Sequence, residues 1–179
     1  MRKLTFLGLA CLGVFVTSLH GQQKQLGLGH TPSMQELREW KSTVLPDGTG
    51  LPTGSGTPAQ GKGIYLDKCS ACHGDQGQGN GPLAPQLVGG VGTLESSNPI
   101  RTVGSYWPYA TTVWDFIRRA MPYSQPGTLT ANETYAVTAY LLSLNKIIPP
   151  NAVLNQKTLP AVRMPNRDGF VPDSRPDVP

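Results

Sequence analysis

The sequence predicts an all-α domain held between irregular segments, and three observations predict it. Apolar residues recur at helical spacing in three stretches between Thr57 and Asn145. The last of these opens on a capping box and closes on an asparagine suited to a helix C-terminus. Glycine and proline, 21 and 17 of 179 residues, break much of the remaining chain into loop. This length predicts one domain with extensions, and a modest core in so loop-rich a chain gains from a bound cofactor.

Residues 1–21, "MRKLTFLGLACLGVFVTSLHG", place Arg2 and Lys3 before an apolar run from Leu4 to Leu19, the layout of a secretory signal. The run is short for a membrane span, so the expectation is cleavage near Gly21 and a periplasmic mature chain without a stable span; an uncleaved anchor is the alternative. Cys11 follows Gly8 where a lipoprotein signal would carry an aliphatic residue, and it reads as part of the signal. Without Arg2 and Lys3 the formal charge of +4 falls by two, to +2. No Lys/Arg run or basic-aromatic interleaving points to nucleic acid.

Residues 22–56 read as an arm and linker. Ser33 and Glu36 have capping-box spacing, and Met34, Leu37 and Trp40 share one face of a short helix. "LPDGTGLPTGSGTPAQG" is a loop leading to the domain, assigned to residues 57–145. Its first helix spans about Pro58 to Cys69, with Gly61, Tyr65 and Cys69 four apart on one face. In "TTVWDFIRRA", Val113, Phe116, Ile117 and Ala120 mark an amphipathic helix. Thr130 and Glu133 cap the last helix, whose apolar face includes Val137, Tyr140, Leu141 and Leu144, with Asn145 at its end. Residues 146–179 are proline-rich and aperiodic, an extended tail lying over the core or a partner.

Chemistry concentrates in "DKCSACHGDQGQGNGP", where Cys69, Cys72 and His73 fall within five positions. At a helix end the two sulfurs point the same way and reach two vinyl groups on one edge of a haem, and the next residue turns an imidazole toward the iron. C-x-x-C-H is a specific signal for covalent haem c, which is attached outside the cytoplasm. A redox disulfide would call for a strand-to-helix junction in a βαβ setting, which is not visible here. A zinc site would need four ligands, and outside the signal only His30 and His73 can join the two cysteines. Gly74, Gly77, Gly79 and Gly81 let the following loop approach a flat cofactor. The Pro85 carbonyl is placed to accept from His73 Nδ1–H, or Pro85 is a plain loop residue.

For the second axial position Met121 is the first candidate, because Pro122 forces it out of the α region at the end of its helix. Met164, in "RMPN", and His30 on the arm are the alternatives, and Met34 reads as a helix-face residue. Tyr106, Trp107, Tyr109 and Trp114 wall the haem or pack a core, and Tyr106, Trp107 or Arg101 can bind a propionate. Arg118 and Arg119 form a solvated face or meet a partner.

A helix with "GKGIYLDKCSACHG", a proline loop, "RAMP" and a final helix with "TAYLL" together resemble class I cytochrome c. The resemblance implies that fold, with Gly61 and Tyr65 crossing the last helix near Val137 and Tyr140. A narrower likeness runs through "LPDGTGLPTGSGT", "GSYWPYATTVWDFIRRAMPY", "YAVTAYLLSLN" and "MPNRDGF". These are similar to SoxD, the cytochrome subunit of the Sox sulfur-oxidation pathway, and to related sulfite dehydrogenase cytochrome subunits. That implies one haem c on Cys69, Cys72, His73 and Met121, fed by a molybdenum-containing sulfur dehydrogenase and emptied by a downstream c-type cytochrome. Sox-type members often carry a second cytochrome domain, whereas this sequence holds one C-x-x-C-H; a different exported dehydrogenase is therefore compatible.

The expected role is that of an electron carrier with no catalytic residues, since histidine and methionine together leave the iron no position for substrate. An enzyme or gas sensor with an open distal site is the rival, and a subunit that docks through its arm and tail is a third reading compatible with the first.

Overall fold

The computed structural model describes residues 29–40, 43–81 and 84–173. The expected export signal over residues 1–21, with Cys11, lies outside the described residues, as do the last six residues of the tail and the side chain of Trp40. Among the described residues, five helices and one two-stranded sheet follow in the order α1 (Met34–Trp40), β1 (Ser55–Gly56), α2 (Pro58–Lys68), α3 (Ser70–His73), α4 (Ala110–Ala120), α5 (Ala131–Leu144) and β2 (Leu154–Asn155). No helix among the described residues is long and apolar enough to cross a membrane.

Each helix starts for a local reason. Thr57 caps α2 by accepting from the Gln60 amide while the Gln60 side chain returns to the Thr57 backbone, and Pro58 supplies a first-turn residue that needs no N–H partner. Thr130 and Glu133 do the same for α5. Ser33 and Glu36 close the capping box of α1, but Met34 and Leu37, two residues of its expected apolar face, are exposed.

The frame is the crossing of α2 and α5. A Cβ on Gly61 would lie 1.9 Å from the Ala136 carbonyl oxygen and 2.9 Å from Tyr140 Cβ, so glycine there lets the two backbones meet. One turn on, the Tyr65 and Tyr140 rings pack at 5.3 Å between centroids. The Trp114 and Tyr135 rings, 5.2 Å apart, join α4 to α5 from the other side, and both residues are wholly buried.

The segment after α5 departs from its sequence pattern. Expected as an extended segment over the core or a partner, it advances largely through turns and buries Leu154, Leu159 and Met164 in the same cluster as the helices. β2 pairs antiparallel with β1 in the register Ser55↔Asn155 and Gly56↔Leu154, and Arg163 bridges to Tyr109. Val44, ahead of β1, is buried in that cluster too. Turn-rich chain buries residues singly, without a period of 2 or 3.6, so its core positions left no repeat to read.

Candidate functional site

Helix α2 ends at Cys69, whose φ of −127° interrupts the helix before the single turn of α3 brings Cys72 and His73 round. Gly74 then turns the chain away at φ 76°, a conformation that favours glycine. The turn is clamped from within the core: the Tyr65 hydroxyl donates to the Gly74 carbonyl at 2.9 Å. Burial pushes that phenol well above its ordinary range.

The two cysteines and His73 line a cleft of about 430 Å³. Pro85 and Leu87 form one side, with Val103 and Trp107 beside them. Val113, Phe116, Ile117 and Met121 of α4 and its C-terminal cap line it too, as do Val137 and Leu141 of α5. The lining is almost entirely apolar, and Lys68, Cys72 and Tyr123 stand on it where the chain is open to solvent. Lys68 is held by Glu133 at 3.0 Å.

His73 shows which of its nitrogens is free. Nδ1 lies 2.9 Å from the Pro85 carbonyl oxygen, which can only accept, so Nδ1 carries the proton. In the neutral form of the ring the lone pair then lies at Nε2. Met121 caps α4 with φ −123° and ψ 147°, the extended conformation that a following proline imposes. Its peptide bond to Pro122 is cis.

The cleft fits haem c. It offers a thiol pair at spacing for two vinyl groups, an imidazole with an unused nitrogen, a thioether and apolar walls for a porphyrin. Competing chemistries fit less well. Burial pushes the Cys69 thiol up to about 11, with Lys68 partly opposing it, whereas a reactive redox cysteine needs a lowered value. His30 sits on the arm 3.2 Å from Glu36, and among the described residues no group of three His, Cys, Asp or Glu side chains can hold a metal.

The other candidates separate. Trp107 lines the cleft, but Tyr106, Tyr109, Trp114 and Arg101 are not among its lining residues. Arg101 lies over the Tyr106 ring, and Tyr106 packs edge-on against Phe170 of the tail. Tyr109 is covered by Arg167. Of the residues expected to bind a propionate or pack a core, Arg101 and Tyr106 pack with one another, and Tyr106 also meets the chain beyond α5. Met164 is 1% exposed, in the core rather than on the cleft lining, and Met34 is exposed on α1. Arg119 pairs with Asp115, while Arg118 lies over the Trp114 ring. Sequence reasoning placed Tyr65 on the inner face of α2 but missed its bond to Gly74, and it missed Leu87 and Val103, since nothing in a loop's sequence announces which side chain turns inward.

Residues 58–145 match the family model described as cytochrome c. The chain is 42% identical to a chain of the sulfane dehydrogenase SoxCD from Paracoccus pantotrophus, superimposing with a TM-score of 0.77 over 86% of this chain and 75% of that one. It is also 28% identical to a thiosulfate dehydrogenase of Psychrobacter arcticus over 154 residues, 78% of this chain and 44% of that protein. A thiosulfate dehydrogenase of Stutzerimonas stutzeri is likewise 28% identical over 155 residues, 79% and 48% respectively. The chain thus spans less than half the length of these curated relatives.

Proposed function

The chain belongs to the cytochrome c family, and from that premise we propose that it is a monohaem carrier taking single electrons from an exported sulfur dehydrogenase. The donor in this reading is a molybdenum-containing sulfite or sulfur dehydrogenase of the periplasm, and the acceptor is a downstream c-type cytochrome. Likeness to the sulfane dehydrogenase supports the donor's class.

Haem c is the cofactor, and when bound it supplies a one-electron couple at its iron. Cys69 and Cys72 would hold it through thioether bonds, and His73 and Met121 would be the ligands to its iron. The Pro85 carbonyl fixes the imidazole's orientation and raises its basicity. The apolar walls exclude water, and Lys68 is neutralised by Glu133 at the rim. With both His73 and Met121 offered to it, the iron would have no position left for substrate, and the group would supply electron transfer alone. The observation that carries this is the joint placement of His73 and Met121 on one apolar cleft.

The thiosulfate dehydrogenases favour a second reading, in which this domain itself acts on a sulfur substrate at an open iron position. Carbon monoxide separates the two. The reduced wild-type protein is expected to keep its spectrum under the gas, while Met121→Ala binds it readily. Ready binding by the wild type, or a Met121→Ala spectrum like the wild type's, would overturn methionine ligation. Purification of the native protein should bring a molybdenum protein with it; a native chain that purifies alone and oxidises thiosulfate would support the second reading.

A further inference from the structure

We propose that Asn145, at the end of α5, is a positioning residue for the histidine ligand, acting through the loop that carries the Pro85 carbonyl. The proposal rests on His73 being an iron ligand.

The Asn145 amide joins separate parts of the chain. Its Oδ1 accepts from the Gly89 amide at 3.0 Å, and its Nδ2 donates to the Leu87 carbonyl at 3.1 Å and the Leu141 carbonyl at 2.9 Å. Leu87 and Gly89 lie just beyond Pro85, the acceptor for His73 Nδ1–H. Leu141 belongs to the last turn of α5, the helix fixed by its crossing with α2. One amide therefore refers the loop that orients the imidazole to the rigid frame. The loop's other side rests on the Gly77 carbonyl through the Leu87 and Val88 amides, and Thr102 holds Gly89 by its carbonyl.

The chemistry calls for an amide. Aspartate would lose both donors and set negative charge against two carbonyl oxygens, and leucine keeps the shape but makes none of the three bonds. Space confirms how closely the amide is seated: a Cβ on Gly104 would stand 2.2 Å from Asn145 Oδ1 and 2.7 Å from its Cγ. Any larger residue at 104 displaces the amide while leaving its donor and acceptor groups in place.

A bond from imidazole Nδ1–H to a carbonyl makes the ring a stronger donor to iron, which favours the ferric state. Freeing the loop weakens that bond and favours the ferrous state.

The test uses matured holoprotein carrying Asn145→Leu or Gly104→Ala, with Thr130→Ala as a control that removes the cap at the far end of the same helix. Two quantities are read: the midpoint potential, and the chemical shift of the His73 ring N–H proton in the diamagnetic ferrous form. In both test variants the ring proton is expected to move upfield and the ferrous-to-ferric ratio at fixed poise to rise roughly threefold, about 28 mV at 59 mV per tenfold. Thr130→Ala should lower the melting temperature and move neither quantity. Test variants that lose stability yet keep the wild-type potential and ring proton would overturn the proposal, because a merely structural asparagine behaves that way. If Asn145→Leu does not mature, Gly104→Ala and Asn145→Ser decide by the same readouts. A wild-type spectrum without histidine ligation would remove the premise, and is seen before any variant is made.

Discussion

Adding one methyl group at Gly61 tests the frame on which the site is built. The Cβ of Gly61→Ala would lie 1.9 Å from the Ala136 carbonyl oxygen and 2.4 Å from its carbon, both backbone atoms that cannot rotate aside. Ordinary contact begins near 3.4 Å, so α2 and α5 must part by more than an ångström at their crossing. Overpacking of this kind costs about 3 kcal/mol. Against it stands the helix preference of alanine over glycine, about 1 kcal/mol, leaving a net loss of about 2 kcal/mol. Gly63, two residues along the same helix, is exposed and nothing lies within 4 Å of its Cβ position. Gly63→Ala therefore keeps only the preference and should stabilise by about 1 kcal/mol. Guanidinium unfolding of the two holoproteins should thus place them about 3 kcal/mol apart. The displacement should also reach Tyr65, one turn beyond Gly61, and with it the clamp on Gly74. If Gly61→Ala proved as stabilising as Gly63→Ala, the close crossing would be wrong.

Other consequences can be measured independently. The Thr130 backbone amide, the Lys68 ammonium and the Thr130 hydroxyl hold the Glu133 carboxyl at about 2, below its usual 4.5. A group lowered on folding contributes stability that is full above 4.5 and lost as the pH falls through about 2. Glu133→Gln retains a capping acceptor and removes the charge, so it should cost about 1 kcal/mol at pH 7 after solvent screening. Urea midpoints of the two proteins should converge as the pH approaches 2; a constant gap would refute the charge as its source. Leu159→Ala deletes a wholly buried side chain of the C-terminal segment and should cost about 3 kcal/mol in denaturant unfolding, where a loosely lying tail would lose almost nothing.

What the sequence determined by itself is what neighbouring residues decide among themselves. Cys69, Cys72 and His73 are fixed relative to one another by a single turn of backbone, so their chemistry is legible without any other part of the chain. Thr130 and Glu133 cap a helix from three residues apart, and Pro122 acts on the residue beside it. What only the tertiary structure decided are contacts between residues far apart in the chain. Tyr106 and Trp107 are adjacent and chemically alike, yet one packs against Phe170, 64 positions on, and the other lines the cleft. Met121 and Met164 each precede a proline, but the cleft takes the first and the core buries the second. Asn145 reaches Leu87 across 58 positions, a pairing that no local period encodes. Local sterics and hydrogen-bonding valence are carried by a few contiguous residues, whereas the direction in which a loop side chain points is set by whichever distant surface the folded chain brings to meet it.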